Sequence, residues 1–335
     1  MPAVQTQFNA FHAAIKLDED DEKETLQTKR DTLLRALKAN LPSTAPKFTS
    51  FHQGSYSMHT GVVPLNGNFD IDIGIIFECE RKAYPDPVVL KKIVRDALDT
   101  HGRTVNIRRP CVTVNYMTGD VTNYHVDLAI YAQRADGLLD LAKGKEHSAT
   151  EHRVWETSDP EQLTKLICGR FSDDAERAQY RRCIRYMKRW RDYQFLKGGP
   201  LSIAITVAAY KWFQPKKAAT GTYLDLEALL AFVEAMLAGV TYQSTDEGLH
   251  KRLSVALLVT PYGDLTAKMS KTQMETFLTA LQNLRDALVK ASNDPVPEDA
   301  CKVLAGQFGS AFTIPEKADT AKAVRAPVVH TGNSA

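Results

Sequence analysis

His52–Phe77 reads HQGSYSMHTGVVPLNGNFDIDIGIIF, and the second half of this stretch decides the fold. Phe69, Ile71, Ile73, Ile75 and Phe77 point one way and Asp70, Asp72, Gly74 and Ile76 the other, the period-2 pattern of a strand with one face in a core. Two carboxylates therefore leave the same side of one strand. Same-face Cβ atoms lie about 6.5–7 Å apart, so a divalent cation between the side chains offsets a repulsion that would otherwise raise a carboxylate pKa. Mg2+ suits the pair, because it takes oxygen ligands and is commonly held by one or two carboxylates together with substrate phosphates. Upstream, Gln53, Gly54 and Ser55 supply a flexible backbone, a hydroxyl and amide groups, the makings of a phosphate seat.

Working outward, alternation returns at Cys111–Met117 and at Tyr124–Tyr131, joined across Gly119-Asp120 as a hairpin. In the second of these strands Val126, Leu128 and Ile130 share an apolar face, whereas His125, Asp127 and Ala129 share the other. A lone carboxylate in an apolar strand is costly to bury unless paired or metal-bound. Asp127 therefore needs a partner, and the Asp70/Asp72 pair supplies one if the two strands are neighbours. His52, His59 and His125 read as structural or substrate-adjacent, since no histidine pair has helical ligand spacing.

The remaining chain surrounds these strands with helices. Apolar spacing predicts helices over 5–17 and 19–40 before the corner, and over 87–100 after the first Asp-bearing strand, with a further strand at 104–107. The stretch 140–159 has no clear period. A short helix follows at 161–168, then one over 174–194, where Tyr180, Ile184, Met187 and Trp190 form a packing side and Arg181, Arg185 and Lys188 a basic side that can meet anions. Pro200 opens the apolar run LSIAITVAAYKWF, a buried helix too short to span a membrane, with Ser202 at its start where free backbone N–H groups favour an anion. Further helices are expected at 223–238, 247–259, 270–290 and 298–306, and a loose tail beyond Pro315. These elements divide the chain into a catalytic core over 1–160, a helical lobe over 161–312 and a flexible tail over 313–335, with the N-terminal helices able to pack on the lobe.

The 335 residues suffice for one large or two ordinary domains, and 42 Lys plus Arg against 40 Asp plus Glu, a net charge of +2, gives no case for a large nucleic-acid surface. Five scattered cysteines without a CxxC or Cys/His cluster argue against a disulfide framework and structural zinc, and the absence of a long apolar run argues against membrane spanning. A monomer in a reducing cytoplasm is the expected setting.

Three same-face carboxylates, Asp70, Asp72 and Asp127, suit a two-metal phosphoryl-transfer site, in which they hold ions and are not nucleophiles. Lys188 and Ser202, with Arg181 and Arg185 behind them, are the candidates to reach a triphosphate from the helical lobe, the nucleotide lying in the cleft between lobes. Two other readings use the same residues: a template-independent nucleotidyltransferase acting on RNA or a small acceptor, and a catalytically silent nucleotide-binding module.

Gly54-Ser55, Asp70-Ile71-Asp72 within FDIDIGIIF, Asp127 within YHVDLAIY, Lys188 within RYMKRW, Ser202 within GGPLSIAI and the segment TVAAYKWFQP together resemble the bacterial cGAS/DncV-like nucleotidyltransferases of the polymerase-β-type superfamily. The resemblance covers most of residues 5 to 312. It implies a mixed α+β fold, with a polymerase-β-like core built on a small mixed sheet packed against an all-helical C-terminal lobe. The implied activity joins nucleoside triphosphates, ATP among them, into a cyclic di- or trinucleotide signal in anti-phage defence, with release of pyrophosphate. It carries a metal role onto Asp70, Asp72 and Asp127, for two Mg2+ ions with Mn2+ as the alternative. A phosphate-corner role falls on Gln53, Gly54 and Ser55, and triphosphate contacts on Lys188 and Ser202, with Arg185 beside them. The implied partners are an effector protein that binds the product and a HORMA-like or ubiquitin-transfer-like protein encoded alongside. The lack of a cysteine cluster sets the chain apart from the zinc-dependent DNA sensor of animals.

Overall fold

The alternating stretch forms a strand of a seven-stranded mixed sheet, and the rest of the core is arranged to cover that sheet's apolar face. A computed structural model describes residues 4–17, 21–100, 103–118 and 121–316. In chain order the first half of the chain consists of α1 (Gln5–Ile15), α2 (Asp21–Asn40), β1 (Phe48–His52), the single turn α3 (Gly54–Ser57), β2 (Phe69–Phe77), α4 (Val88–Leu98), β3 (Arg103–Ile107), β4 (Val112–Thr118), β5 (Val121–Gln133), β6 (Leu139–Lys143) and β7 (Val154–Ser158). The lobe follows with α5 (Pro160–Cys168), α6 (Asp174–Gln194), α7 (Ser202–Trp212), α8 (Asp225–Ala238), β8 (Thr241–Thr245), β9 (Gly248–Arg252), α9 (Lys271–Asn293) and α10 (Pro297–Phe308).

The sheet runs β1-β2-β5-β4-β3, with β6 added to the far end of β5 and β7 to β6. Only β2 and β5 pair in parallel; the other neighbours are antiparallel. One face of β2 and β5 supplies Ile71, Ile73, Ile75, Val126, Leu128 and Ile130 to a core closed by Leu33 and Leu37 of α2 and by Leu90, Val94 and Leu98 of α4. At about 25 cal/mol per Å2 of buried apolar surface, such branched side chains favour this one register strongly, because a one-residue slip would turn the carboxylates into the core.

The predicted strands and helices on either side of β2 form where the spacing places them, but two segments differ. Residues 139–143 and 154–158, in a stretch without a readable period, are β6 and β7; their apolar signal is short, and the pairing with β5 that makes them strands is not local. The helix expected over 247–259 is instead the second half of the β8–β9 hairpin followed by a loop. Leu249 and Lys251 face solvent while His250 and Arg252 are buried, a period of two, and Gly248 at φ +89° supplies the left-handed backbone at the turn. The lobe is thus helical apart from this hairpin. The Gly119-Asp120 turn and the tail beyond residue 316 lie outside the described residues.

The lobe has its own core, and α1 belongs to it. Phe8 and Phe11 pack with Tyr186 of α6 and with Phe312, at ring-centroid distances of 5.1–5.4 Å. A polar knot lies at the centre of this core. Arg182 Nε and Nη2 donate to the two oxygens of fully buried Asp225 at 2.7 and 2.8 Å, and Tyr186 and Gln179 donate to the same carboxylate at 2.9 and 3.2 Å. A buried carboxylate is tolerated when its lone pairs are filled in this way. The five cysteines are free thiols, and among the described residues no helix is long and apolar enough to cross a membrane.

Candidate active site

The parallel β2–β5 pairing joins the two acidic strands. Asp72 is the register partner of Asp127, and Asp70 of His125, so the carboxylates expected on the two strands lie side by side. Ligand atoms of Asp70, His125 and Asp127 lie within 4.8 Å of one another. Asp72 sits deeper, against the corner that precedes α3. Gly54 has φ +72°, and a Cβ added there would stand 1.9 Å from Asp72 Oδ2; only glycine lets the corner backbone close on that carboxylate.

Each acidic group has its own support. Thr113 of β4 donates its hydroxyl to Asp127 Oδ1 at 2.5 Å. His125 Nε2 lies 3.1 Å from Asp70 Oδ1, and its Nδ1 lies 3.1 Å from Asn68 Oδ1. The cluster is electrostatically crowded: burial first, then Asp70 and Asp127, push the Asp72 carboxyl up to about 8. Burial likewise raises Asp127, against the Thr113 hydrogen bond that favours its charged form, and the hydrogen bond to Asp70 raises His125. An all-oxygen set of hard donors that repel one another is what a divalent cation of the Mg2+ type relieves.

The corner residues are packed tightly. Gln53 donates its backbone N–H to the Asp72 carbonyl at 3.3 Å, and its side-chain Oε1 accepts from Tyr131 at 3.0 Å. The Ser55 carbonyl accepts from Thr60 N at 2.9 Å, closing residues 55–60 into a compact loop.

The basic side of α6, expected to face open anion-binding space, runs against this loop. Lys188 Nζ donates to the carbonyl and the hydroxyl of Thr60, both at 3.0 Å. Arg185 donates to the carbonyls of Gly61 and His59 at 3.1 and 2.6 Å and meets His12 Nε2 at 3.0 Å. Arg189 donates to the Val63 carbonyl at 2.7 Å. All three side chains are buried, and buried cations require acceptors. Burial, with neighbouring Arg185, lowers Lys188 to about 7, while Asp192 and Asp72 draw it back up. Of this side, Arg181 and Arg185 both line an open cavity with His12, Lys16 and His59. Ser202 occupies the first turn of α7, as its sequence context predicts.

Sequence reasoning left out Thr113 and did not assign His125 to Asp70. Both signals were present in the alternation: His125 shares a face with Asp127, and Thr113 stands opposite Asp127 in the hairpin register.

A mixed sheet with carboxylates on its one parallel pair, a glycine corner closed on them and a helical lobe alongside define a nucleotidyltransferase-type fold. Residues 46–131 match the family described as cyclic GMP-AMP synthase DncV-like, nucleotidyltransferase domain. A cyclic GMP-AMP synthase from Escherichia albertii is 30% identical over 169 residues, covering 47% of this chain and 36% of that protein, so the chain spans about a third of that relative's length. The fold is similar to Vibrio cholerae DncV, a cyclic AMP-GMP synthase, with TM-score 0.63 and 19% identity over 92% of this chain and 96% of that one. It is also similar to the Bradyrhizobium diazoefficiens CD-NTase CdnG, solved with GTP, with TM-score 0.69 and 16% identity over 92% and 96% of the two chains. The family match is thus confined to residues 46–131, and across nearly the whole chain the fold is that of DncV and CdnG.

Proposed function

We propose that the protein condenses nucleoside triphosphates, ATP among them, into a cyclic di- or trinucleotide with release of pyrophosphate. The observation that carries this reading is the register of Asp72 beside Asp127 on paired strands, with Asp70 on the same face and the Gly54 backbone closed on Asp72. Asp70, Asp72 and Asp127 are the residues to hold divalent cations, two Mg2+ ions or Mn2+ in their place. The crowding that pushes Asp72 up to about 8 supports the fit, since it is relieved by positive charge. Such ions, when bound, lower the pKa of an attacking hydroxyl and offset the charge of the triphosphate.

The chain's own residues provide position. Gln53, Gly54 and Ser55 form the corner for the phosphates, and the 59–63 loop behind it is pinned to the lobe by Lys188, Arg185 and Arg189. Ser202 meets the triphosphate from the lobe, and Lys188, held by Thr60, supplies positive charge to the triphosphate from behind the corner; Arg185 acts mainly through the loop it holds. In each transfer a ribose hydroxyl oxygen bonds to an α-phosphorus, the bond to the β-phosphate bridging oxygen breaks, pyrophosphate departs, and the hydroxyl proton passes to solvent. Repetition of the step until the last hydroxyl attacks the first nucleotide's α-phosphorus closes the ring. Residues 1–160 act as the catalytic core, apart from α1, and 161–312 as the lobe. In the cytoplasm, the product engages an anti-phage effector, under the control of a HORMA-like or ubiquitin-transfer-like partner.

Incubation of the purified chain with the four NTPs and Mg2+, followed by mass identification of the products, tests this function. A phosphatase-resistant cyclic oligonucleotide is expected. Pyrophosphate release only when RNA or another acceptor is added would replace this reading with a tailing or acceptor-modifying enzyme, and nucleotide binding without release with a silent module.

A further inference from the structure

We propose that His125 is a positioning residue: its imidazole holds the Asp70 carboxylate in the orientation that binds a divalent cation, and it is not itself a ligand. This rests on the reading of Asp70, Asp72 and Asp127 as the metal-binding triad. Asp70 is the most open of the three, with its side chain 49% exposed. Asp127 is tied by Thr113 and Asp72 is enclosed by the Gly54 corner. Asp70 lies near the open end of β2, where the described contact that fixes its rotamer is the one to His125 Nε2.

The ring is itself held at both ends. Parallel pairing sets His125 directly beside Asp70, and Nδ1 meets the side chain of Asn68, two residues before Asp70 on the same face. Asn68 is fixed in turn, its backbone N–H donating to Asn66 Oδ1 at 3.1 Å. In either protonation state the nitrogen facing a carboxylate oxygen carries the hydrogen, and a protonated ring nitrogen has no lone pair to give a metal. His125 therefore resembles a ligand by proximity, its nitrogen lying within 4.8 Å of both carboxylates, while both of its nitrogens are already engaged. Hydrogen-bond partners of this kind orient metal-binding carboxylates and typically change metal affinity by about 10- to 100-fold when removed.

The test is Mn2+ binding by the full chain, followed by electron paramagnetic resonance, for wild type, His125→Ala, His125→Gln and Asp72→Asn. His125→Ala should weaken Mn2+ binding about tenfold or more. His125→Gln, whose amide can donate to Asp70, should recover most of the loss. Electron spin echo modulation of Mn2+ on the wild type should show no directly coordinated imidazole nitrogen. A coordinated nitrogen, wild-type affinity in His125→Ala, or a glutamine variant as weak as the alanine one would each overturn the assignment. If His125→Ala fails to fold, the glutamine variant and the wild-type spectrum decide alone. Wild-type affinity in Asp72→Asn would instead remove the triad reading underneath.

Discussion

Gly54 carries the tightest steric constraint of the site. Its φ of +72° already costs an L-residue about 1–2 kcal/mol, and a methyl group there would overlap Asp72 Oδ2. Gly54→Ala should therefore cut turnover by at least about tenfold, as a misplacement near 1 Å can cost 100-fold, while thermal unfolding shows only a modest loss; unchanged turnover would show that the corner does not position Asp72. A second single-residue prediction concerns His12. Burial, then Arg185, Arg182 and Lys16, lower its pKa to about 4, with Asp225 opposing. The unfolded histidine takes its proton near 6.5, so between 6.5 and 4 the unfolded state binds more protons and stability falls as the pH falls. Melting temperatures of wild type and His12→Gln across this window should converge toward acid, since the variant lacks that titration. His52, shifted the same way by burial, and His125, shifted oppositely, are common to both proteins and cancel in the difference.

At the level of elements, the pair β2–β5 makes the site and α6 holds it. The two Asp-bearing strands were legible because a period of two states which residues share a face. Their adjacency was not, because it depends on a parallel pairing across the intervening α4, β3 and β4, and no local pattern records which distant strand becomes the neighbour. The basic side of α6 was legible as charge but not as a clamp, since a cation's acceptors here are the carbonyls of Thr60, Gly61 and Val63, whose sequence says nothing of their direction. The β8–β9 hairpin was misread because Leu253, Val255 and the apolar residues after them imitate a helical stripe. Within the lobe, α6 and α8 are joined through Asp225. Asp225→Ala leaves Arg182 without its carboxylate and should cost about 3–5 kcal/mol in chemical denaturation, as for other buried pairs deprived of one partner; a loss below 1 kcal/mol would mean that the knot is not a stability element.

Across the whole molecule, α1 precedes the sheet in sequence but packs against the C-terminal helices, where Phe11 is fully buried among Tyr186, Phe308 and Phe312. Phe11→Ala should destabilise the chain by about 3–5 kcal/mol, measured by equilibrium denaturation. Because Tyr186 lies on the helix that also carries Arg185, Lys188 and Arg189, loosening α1 should raise the KM for nucleotide before it abolishes turnover. The central claim concerns the three carboxylates on the paired strands β2 and β5, and the most direct measurement is pyrophosphate release from ATP and GTP with Mg2+ by wild type and by a folded Asp72→Asn variant. Release by the wild type and its loss in the variant, at least about a hundredfold when such electrostatic stabilisation is removed, is the predicted result. Equal release by the two proteins, with matching melting temperatures, would contradict it.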